Sequence, residues 1–328
     1  MEINISGTSK TDQYNGKLQK VEGYSAEKVS ETGYFDSSKI TATAGKAQAE
    51  GTNAGLYYMH LIASDFSYQD NNQFVKFNIA HDGCLEITPI DINSFDVSVN
   101  PSHYVYNGEY QEPKVNAQSE VGQLTLDKDY IKEGAKAKNV GDYQLKVTGI
   151  GNYTGVRTFD WIIVKADVDV VIEGNNVKVP YDGTLKTASG YKINETTKTD
   201  LINKGVVKVL PDSNSCVVEG TEAGTYAMNL YDKQFRTDNT NVNFTYTIKD
   251  GSLDITSTSL STAVFTPVNK VYNGKEQEAE LIGTFNGNYL TEGKDYTLSG
   301  AGISGTNVGN YDVSVTGKGN FTGTKIVT

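Results

Sequence analysis

Apolar residues recur at every second position in four places along this chain, each time directly after a Gly-x-Tyr triplet. Met59 and Leu61 follow Tyr57, Leu145 and Val147 follow Tyr143, Met228 and Leu230 follow Tyr226, and Val313 and Val315 follow Tyr311. Period-two alternation turns one set of side chains inward and the other to water, the signature of a half-buried strand. The pattern predicts strands over residues 95–99, 144–148, 158–164, 206–210, 225–230, 242–248 and 312–316. Residues 196–203 lack clean alternation and suit one short helical turn. The chain reads as all-β.

Turns punctuate these strands just as regularly. Tyr14-Asn15-Gly16, Tyr106-Asn107-Gly108, Tyr181-Asp182-Gly183 and Tyr272-Asn273-Gly274 recur so that the first-to-third and second-to-fourth separations differ by one residue. Near-constant spacing marks a duplicated unit. Asn-Gly and Asp-Gly favour type I′ hairpins, whose two central residues need positive φ, so a hairpin is expected at each copy.

Two segment types alternate. The shorter type carries Lys128-Asp129-Tyr130 and Lys294-Asp295-Tyr296, then Asn-Val-Gly, then Val-Thr-Gly-x-Gly-Asn-aromatic-Thr-Gly at 147–155 and 315–323. The longer type carries Gly23-Tyr24 and Gly190-Tyr191, then Ala54-Gly55 and Ala223-Gly224. It closes on Asp-Gly-x-Leu-acidic-Ile-Thr at 82–88 and 250–256. The expected division is 1–90 long, 91–166 short, 167–258 long and 259–328 short. The last segment is expected to lack most of its final strand, because nothing in it matches Phe159, Trp161 and Ile163.

The longer segments resemble the Tyr-Asp-Gly (MBG or YDG type) repeats of large bacterial cell-surface proteins, and the shorter ones resemble their companion repeat. The resemblance spans nearly the whole chain. It implies a secreted or wall-attached protein of Gram-positive type built from strings of β modules, and it implies no catalytic residue.

The expected fold is an elongated array of four small β domains. Immunoglobulin-like sandwiches fit best, because a Tyr opening a late strand can anchor a corner by hydrogen bonding. A β-grasp remains the alternative for the longer segments. The repeated tyrosines are expected to be core anchors. Junctions carry no Gly/Ser or Pro-rich spacer, so a semi-rigid string is expected, with residues 256–262 the place for a bend.

Composition narrows the function. Net charge is −11 with a pI near 4.8, and no basic stripe is present, which argues against nucleic acid. No run approaches the roughly 20 apolar residues of a membrane span, so no membrane insertion is expected. The first residues carry no basic stretch followed by an apolar one, so no signal peptide is expected there, and a piece of a longer protein is the expectation. Cys84 and Cys216 fall at unmatched positions in different segments, so small buried thiols are expected rather than a disulfide.

Candidate chemistry is thin. Residues 300–305 spell Gly-Ala-Gly-Ile-Ser-Gly, but a dinucleotide loop needs a helix behind it, and the turn-like Thr306-Asn307-Val308-Gly309 follows. His60, His81 and His103 lack zinc-ligand spacing even with Cys84 near His81. Asp127, Asp129 and Asp295 lack the dense oxygen loop of calcium sites, and their repetition points to turn structure. No nucleophile elbow or phosphate loop occurs. No catalytic, cofactor-binding or metal site is assigned, and no cofactor is expected. Two readings remain: a stalk or spacer touching neighbouring domains of the same longer chain, or an adhesin binding a host glycan or protein. For the second, the less regularly repeated Tyr68, Tyr110 and Tyr289 are the candidate contacts. An intramolecular Lys–Asn isopeptide bond is left open.

Overall fold

Strand Glu2–Gly7 buries Ile3, Ile5 and Gly7 and leaves Glu2, Asn4 and Ser6 more open, as its alternation dictates. It pairs antiparallel with Tyr24–Lys28 and parallel with Lys76–His81. The chain then steps to a second sheet, where Lys10–Gln13 pairs parallel with Cys84–Thr88, which in turn pairs antiparallel with Gly55–Tyr58. Both long strands therefore break at the same level, one before Lys10 and the other at Asp82-Gly83. The backbones touch there: a Cβ on Gly7 would lie 2.4 Å from the Gly83 nitrogen. Only two glycines permit that approach.

The computed structural model describes residues 1–70, 74–195, 201, 207–209 and 216–328. The chain divides into two compact units, Met1–Val164 and Lys165–Thr328, each holding one longer and one shorter segment. The longer segment of the second unit repeats the first. Ala166–Gly174 pairs with Tyr191–Glu195 and runs parallel to Val242–Lys249; Asn176–Pro180 runs parallel to Ser252–Thr256. Gly174 meets Gly251 as Gly7 meets Gly83, again with a 2.4 Å approach for an added Cβ.

In the first shorter segment Val97–Asn100 pairs with Lys114–Ser119, and across Pro101 the chain changes sheets. The second sheet runs His103–Val105, Val156–Val164, Gly141–Gly149, Tyr130–Glu133, with the first pair parallel and the others antiparallel. A first strand split between two sheets, its second half parallel to the last strand, is the immunoglobulin-like arrangement. The longer segments share that split first strand, so the β-grasp alternative does not describe them. The fold is all-β, as expected.

Inward positions fill the cores. Trp161, Leu145, Val147 and Ile163 are buried in one shorter segment, and Leu260, Val315 and Phe321 in the other. Burying each such side chain is worth about 1.5–3 kcal/mol. Most strand expectations match: residues 242–248 became Val242–Lys249 and 158–164 became Val156–Val164. The run 225–230 did not, because the strand Gly224–Ala227 stops where Asn229 turns to φ 58°. The helical turn expected at 196–203 lies outside the described residues, Leu201 excepted.

Candidate functional site

The recurrent tyrosines make the same bond in every segment. The hydroxyl of Tyr57 donates to the Asn53 carbonyl at 2.9 Å, Tyr143 to Asn139 at 2.7 Å, Tyr226 to Glu222 at 2.9 Å and Tyr311 to Asn307 at 2.8 Å. Each closes a corner of backbone four residues upstream, a tyrosine corner. Two residues on, where antibody domains carry a cysteine, Met59, Leu145, Met228 and Val313 are all buried. The rings themselves are only half-buried, and Tyr311 is 36% exposed, so they are corner ties rather than the core anchors expected.

The Tyr-Asx-Gly copies are not hairpins. Only the glycines take positive φ, at 71°, 76°, 84° and 75°, whereas a type I′ turn needs the Asx there too. Instead each Asx side chain accepts from the backbone N–H two residues on, at 2.9 Å in all four copies. These Asx-turns carry the chain from one strand to the next without pairing the two. In three copies a glutamine secures the loop: Gln19, Gln111 and Gln277 donate to the carbonyls of Gln13, Val105 and Val271 at 3.1, 2.9 and 3.0 Å.

The closing Asp-Gly also has a defined task. Asp82 accepts from the backbone N–H groups of His60 and Leu61 at 3.2 and 3.0 Å, and Asp250 from Asn229 and Leu230 at 3.0 Å each. His60 and Asn229 both sit at positive φ, 55° and 58°. The carboxylate holds a bend that L-residues seldom adopt.

Within each unit these pieces build a joint between the longer and the shorter segment. The connecting residues are stapled down: Ile90–Asp91 pairs parallel with Tyr153–Thr154, and Thr258–Ser259 with Phe321–Thr322. From that same loop an asparagine reaches back to the longer segment. Asn152 Oδ1 accepts the Ala54 N–H at 2.7 Å and its Nδ2 donates to Asn53 Oδ1 at 3.1 Å. Asn320 accepts the Ala223 N–H at 2.6 Å and donates to the Glu222 carboxylate. Asn53 and Glu222 are also the residues whose carbonyls the corner tyrosines hold.

Aromatic rings close the joint. Tyr14 meets Tyr153 edge-on at 6.0 Å, and Tyr181 meets Phe321 edge-on at 5.5 Å and Phe285 stacked at 6.1 Å. Burial pushes the phenols of Tyr153 and Tyr181 above the usual tyrosine range. A hairpin of the shorter segment covers the longer segment's Asx-turn. Val121 packs so close that a Cβ on Gly16 would come within 2.7 Å of its Cγ1, and Asn286 Nδ2 donates to the Asp182 carbonyl at 3.1 Å. Sequence reading found the Gly-Asn-aromatic-Thr-Gly motif without its role. Its signal was the same Asn in both copies.

The remaining candidates are scattered. Asp129 and Asp295 accept the Thr125 and Thr291 N–H groups at 2.8 and 2.7 Å, which makes Lys-Asp-Tyr a turn. His81 lies against Ser9 and His103 against Ser102, each at 3.2 Å, and Cys84 Sγ lies 3.6 Å from Ser9. Among the described residues no three His, Cys, Asp or Glu side chains converge as metal ligands. At 300–305 a short 3-10 turn follows Gly300 instead of a helix, and Gly302 serves a close pass of the Asp312 backbone, 2.3 Å from an added Cβ. Cys216 is buried and Cys84 half-buried, both as free thiols. Among the described residues no lysine is buried, which removes the premise of an isopeptide bond there.

Of the candidate binding tyrosines, Tyr68 is half-buried, donating to the Tyr34 carbonyl at 3.3 Å and accepting the Asp36 N–H at 3.1 Å. Tyr68 is structural. Tyr110 in the first unit is 64% exposed beneath the ammonium groups of Lys136 and Lys138, 5.0 and 5.9 Å from its ring centre. Tyr289 in the second is 79% exposed.

Fold and joints together define the class, a tandem array of immunoglobulin-like β repeats. No family model matches the sequence, and no curated protein does. Among solved structures the chain is similar to the N-terminal eight Ig domains of Down Syndrome Cell Adhesion Molecule isoform 1.30.30, at 10% identity over 99% of this chain and 54% of that one, with a TM-score of 0.17. It is also similar to Sidekick-1 immunoglobulin domains 1–5, at 13% identity over 98% of this chain and 79% of that one, with a TM-score of 0.22. The chain thus spans about half the length of the first.

Proposed function

We propose that this chain is a non-catalytic extracellular repeat region serving as the stalk or spacer of a bacterial surface protein of the Tyr-Asp-Gly repeat kind, built from four modules. One observation carries the reading: the same joint, stapled by a two-residue ladder and an asparagine, occurs in both units. A joint with no free linker resists bending between its two modules, which suits a part that must hold distance. A bound ligand would need no such repetition.

Small-angle scattering on the chain tests this. Modules about 35 Å long, from strands of about ten residues, would give a string of about 130–150 Å. A radius of gyration near about 20 Å, the value for a compact chain of this length, would reject the spacer.

An adhesin reading is favoured by the exposure of Tyr110 and Tyr289. A glycan array and mucin-binding screen, repeated with Tyr110→Ala and Tyr289→Ala, tests it. Binding that either substitution abolishes would support adhesion, and an empty screen would leave the spacer.

A further inference from the structure

We propose that Tyr110, Lys136 and Lys138 form a binding site for a single acidic sugar residue, a pyranose bearing a carboxylate or a sulfate. The Tyr110 ring would lie along the sugar's C–H face and the two ammonium groups would meet its charge. The inference rests on the adhesin reading, for which it names the ligand class, and it is independent of the spacer.

A backbone bridge builds the site. The Gln111 N–H donates to the Ala137 carbonyl at 2.8 Å and the Ala137 N–H returns the bond to Gln111 at 3.1 Å. Both residues are buried, so alternation turns their neighbours outward, and Tyr110, Glu112, Lys136 and Lys138 share the exposed face. The ammonium groups of Lys136 and Lys138 stand 5.0 and 5.9 Å from the centre of the Tyr110 ring, which is 64% exposed. Glu112 is engaged by Lys132 and Glu133 by Lys146, whereas among the described residues Lys136 and Lys138 are in no ion pair. The hydroxyl of nearby Tyr104 donates to the Glu112 carbonyl at 2.8 Å, but among the described residues that of Tyr110 is in no hydrogen bond.

The other three segments show that the fold does not require this trio. Their matching ladders set Gln19 against Gly51, Lys186 against Gly220 and Gln277 against Gly305. Where Tyr110 stands they carry Leu18, Leu185 and Glu276. Where Lys138 stands all three carry threonine, at 52, 221 and 306. At the Lys136 position they carry Glu50, Glu219 and Ser304. The corner tyrosines and Asx-turns recur in every copy because the fold needs them. A ring with two cations occurs in one copy of four, so those residue types answer to something outside the fold.

The chemistry selects the ligand. The electron-rich face of a tyrosine draws cations, which keeps both ammonium groups beside the ring. An ammonium offers three N–H donors and no acceptor, which suits a carboxylate or a sulfate. A pyranose carries an apolar C–H face and its acid at the rim, so ring and lysines can be met at once. The net charge of −11 sets the scale: a polyanion is repelled by the rest of the chain, while one acidic residue meets two cations at contact range.

Saturation-transfer NMR on the whole chain tests this, with the methyl glycosides of glucuronic acid, sialic acid and 6-sulfogalactose and with neutral methyl glucoside. At least one acidic glycoside should bind about fivefold or more tighter than methyl glucoside, the worth of two exposed ion pairs. Which of the three binds best distinguishes carboxylate from sulfate. Raising NaCl from about 0.05 to about 0.5 M should bring it down towards the neutral glycoside. The double substitution Lys136→Gln with Lys138→Gln should do the same. Tyr110→Leu, the residue type that two sibling copies fold with, should silence every glycoside. Inorganic phosphate, the probe of charge without a ring, should not displace the bound sugar at equal concentration. If every glycoside is silent, this proposal and adhesion through Tyr110 fall together. If methyl glucoside binds through Tyr110 as tightly as the acidic ones, adhesion stands and this proposal alone falls. A lysine variant that keeps the preference, a Tyr110→Leu chain that still binds, or displacement by phosphate would each overturn it as well.

Discussion

At the residue scale the tyrosine corner depends on what stands beneath its ring. A Cβ on Gly51, Gly220 or Gly305 would lie 2.3, 2.7 or 2.4 Å from the ring of Tyr57, Tyr226 or Tyr311. The second segment places Ala137 opposite Gln111 at the equivalent point, so the demand comes from ring placement in the other three. Gly220→Ala is therefore expected to destabilise the second unit by about 1–3 kcal/mol through overpacking. Tyr226→Ala should cost about 2 kcal/mol, less than the 3–5 of a fully buried ring. The double variant should recover at least about 0.5 kcal/mol relative to the sum. Denaturant titration of all three reads the coupling, and strict additivity would show that ring and glycine do not meet.

Asp182 gives a second prediction at this scale. The Lys186 ammonium, then the Thr184 hydroxyl and N–H, hold its carboxyl down at about 2. A depressed carboxyl stabilises the folded form above its unfolded value of about 4 and loses that contribution as pH falls through about 2. The group is exposed, so the effect is small. Asp182→Asn should flatten the acid limb of unfolding between those values. Chemical denaturation at stepped pH checks it, and an unchanged limb would remove the pair from the Asx-turn's stability.

At the scale of elements the joint is the part to break. Asn152→Ala leaves the Ala54 N–H without its side-chain acceptor, a loss of about 1–3 kcal/mol. The damage should fall on coupling rather than on either core, because stability in such arrays is a sum of local and neighbour terms. Scanning calorimetry should show one transition for the first unit becoming two, and Asn320→Ala should do the same to the second. If each variant only shifts a single transition, the joint is not where the segments couple.

The strands themselves were legible from alternation, since the period of two is a local property. Turn geometry was less so. Asn-Gly at 15–16, where a hairpin was expected, and Asn-Gly at 286–287 look alike, yet of these two only the second forms a hairpin, with Asn286 at φ 47°, Gly287 at φ 81° and Phe285 facing Asn288. At the first, the flanking strands belong to different ladders, and the Asx side chain bonds its own backbone instead.

At the scale of the whole molecule, each unit is expected to fold alone. Met1–Val164 and Lys165–Thr328 expressed separately should each unfold cooperatively, and their thermograms should add to that of the intact chain. A midpoint more than a few degrees lower in either half would show that the units support one another.

Sequence alone determined that this protein is all-β, repeated and alternating in two segment types, because periodicity, glycine content and motif spacing act within a few residues of themselves. It also located the corner tyrosines, whose partner is only four residues away. Only the tertiary structure decided what joins the segments. Asn152 and Ala54 lie 98 residues apart in the chain, and nothing local to either predicts that they meet.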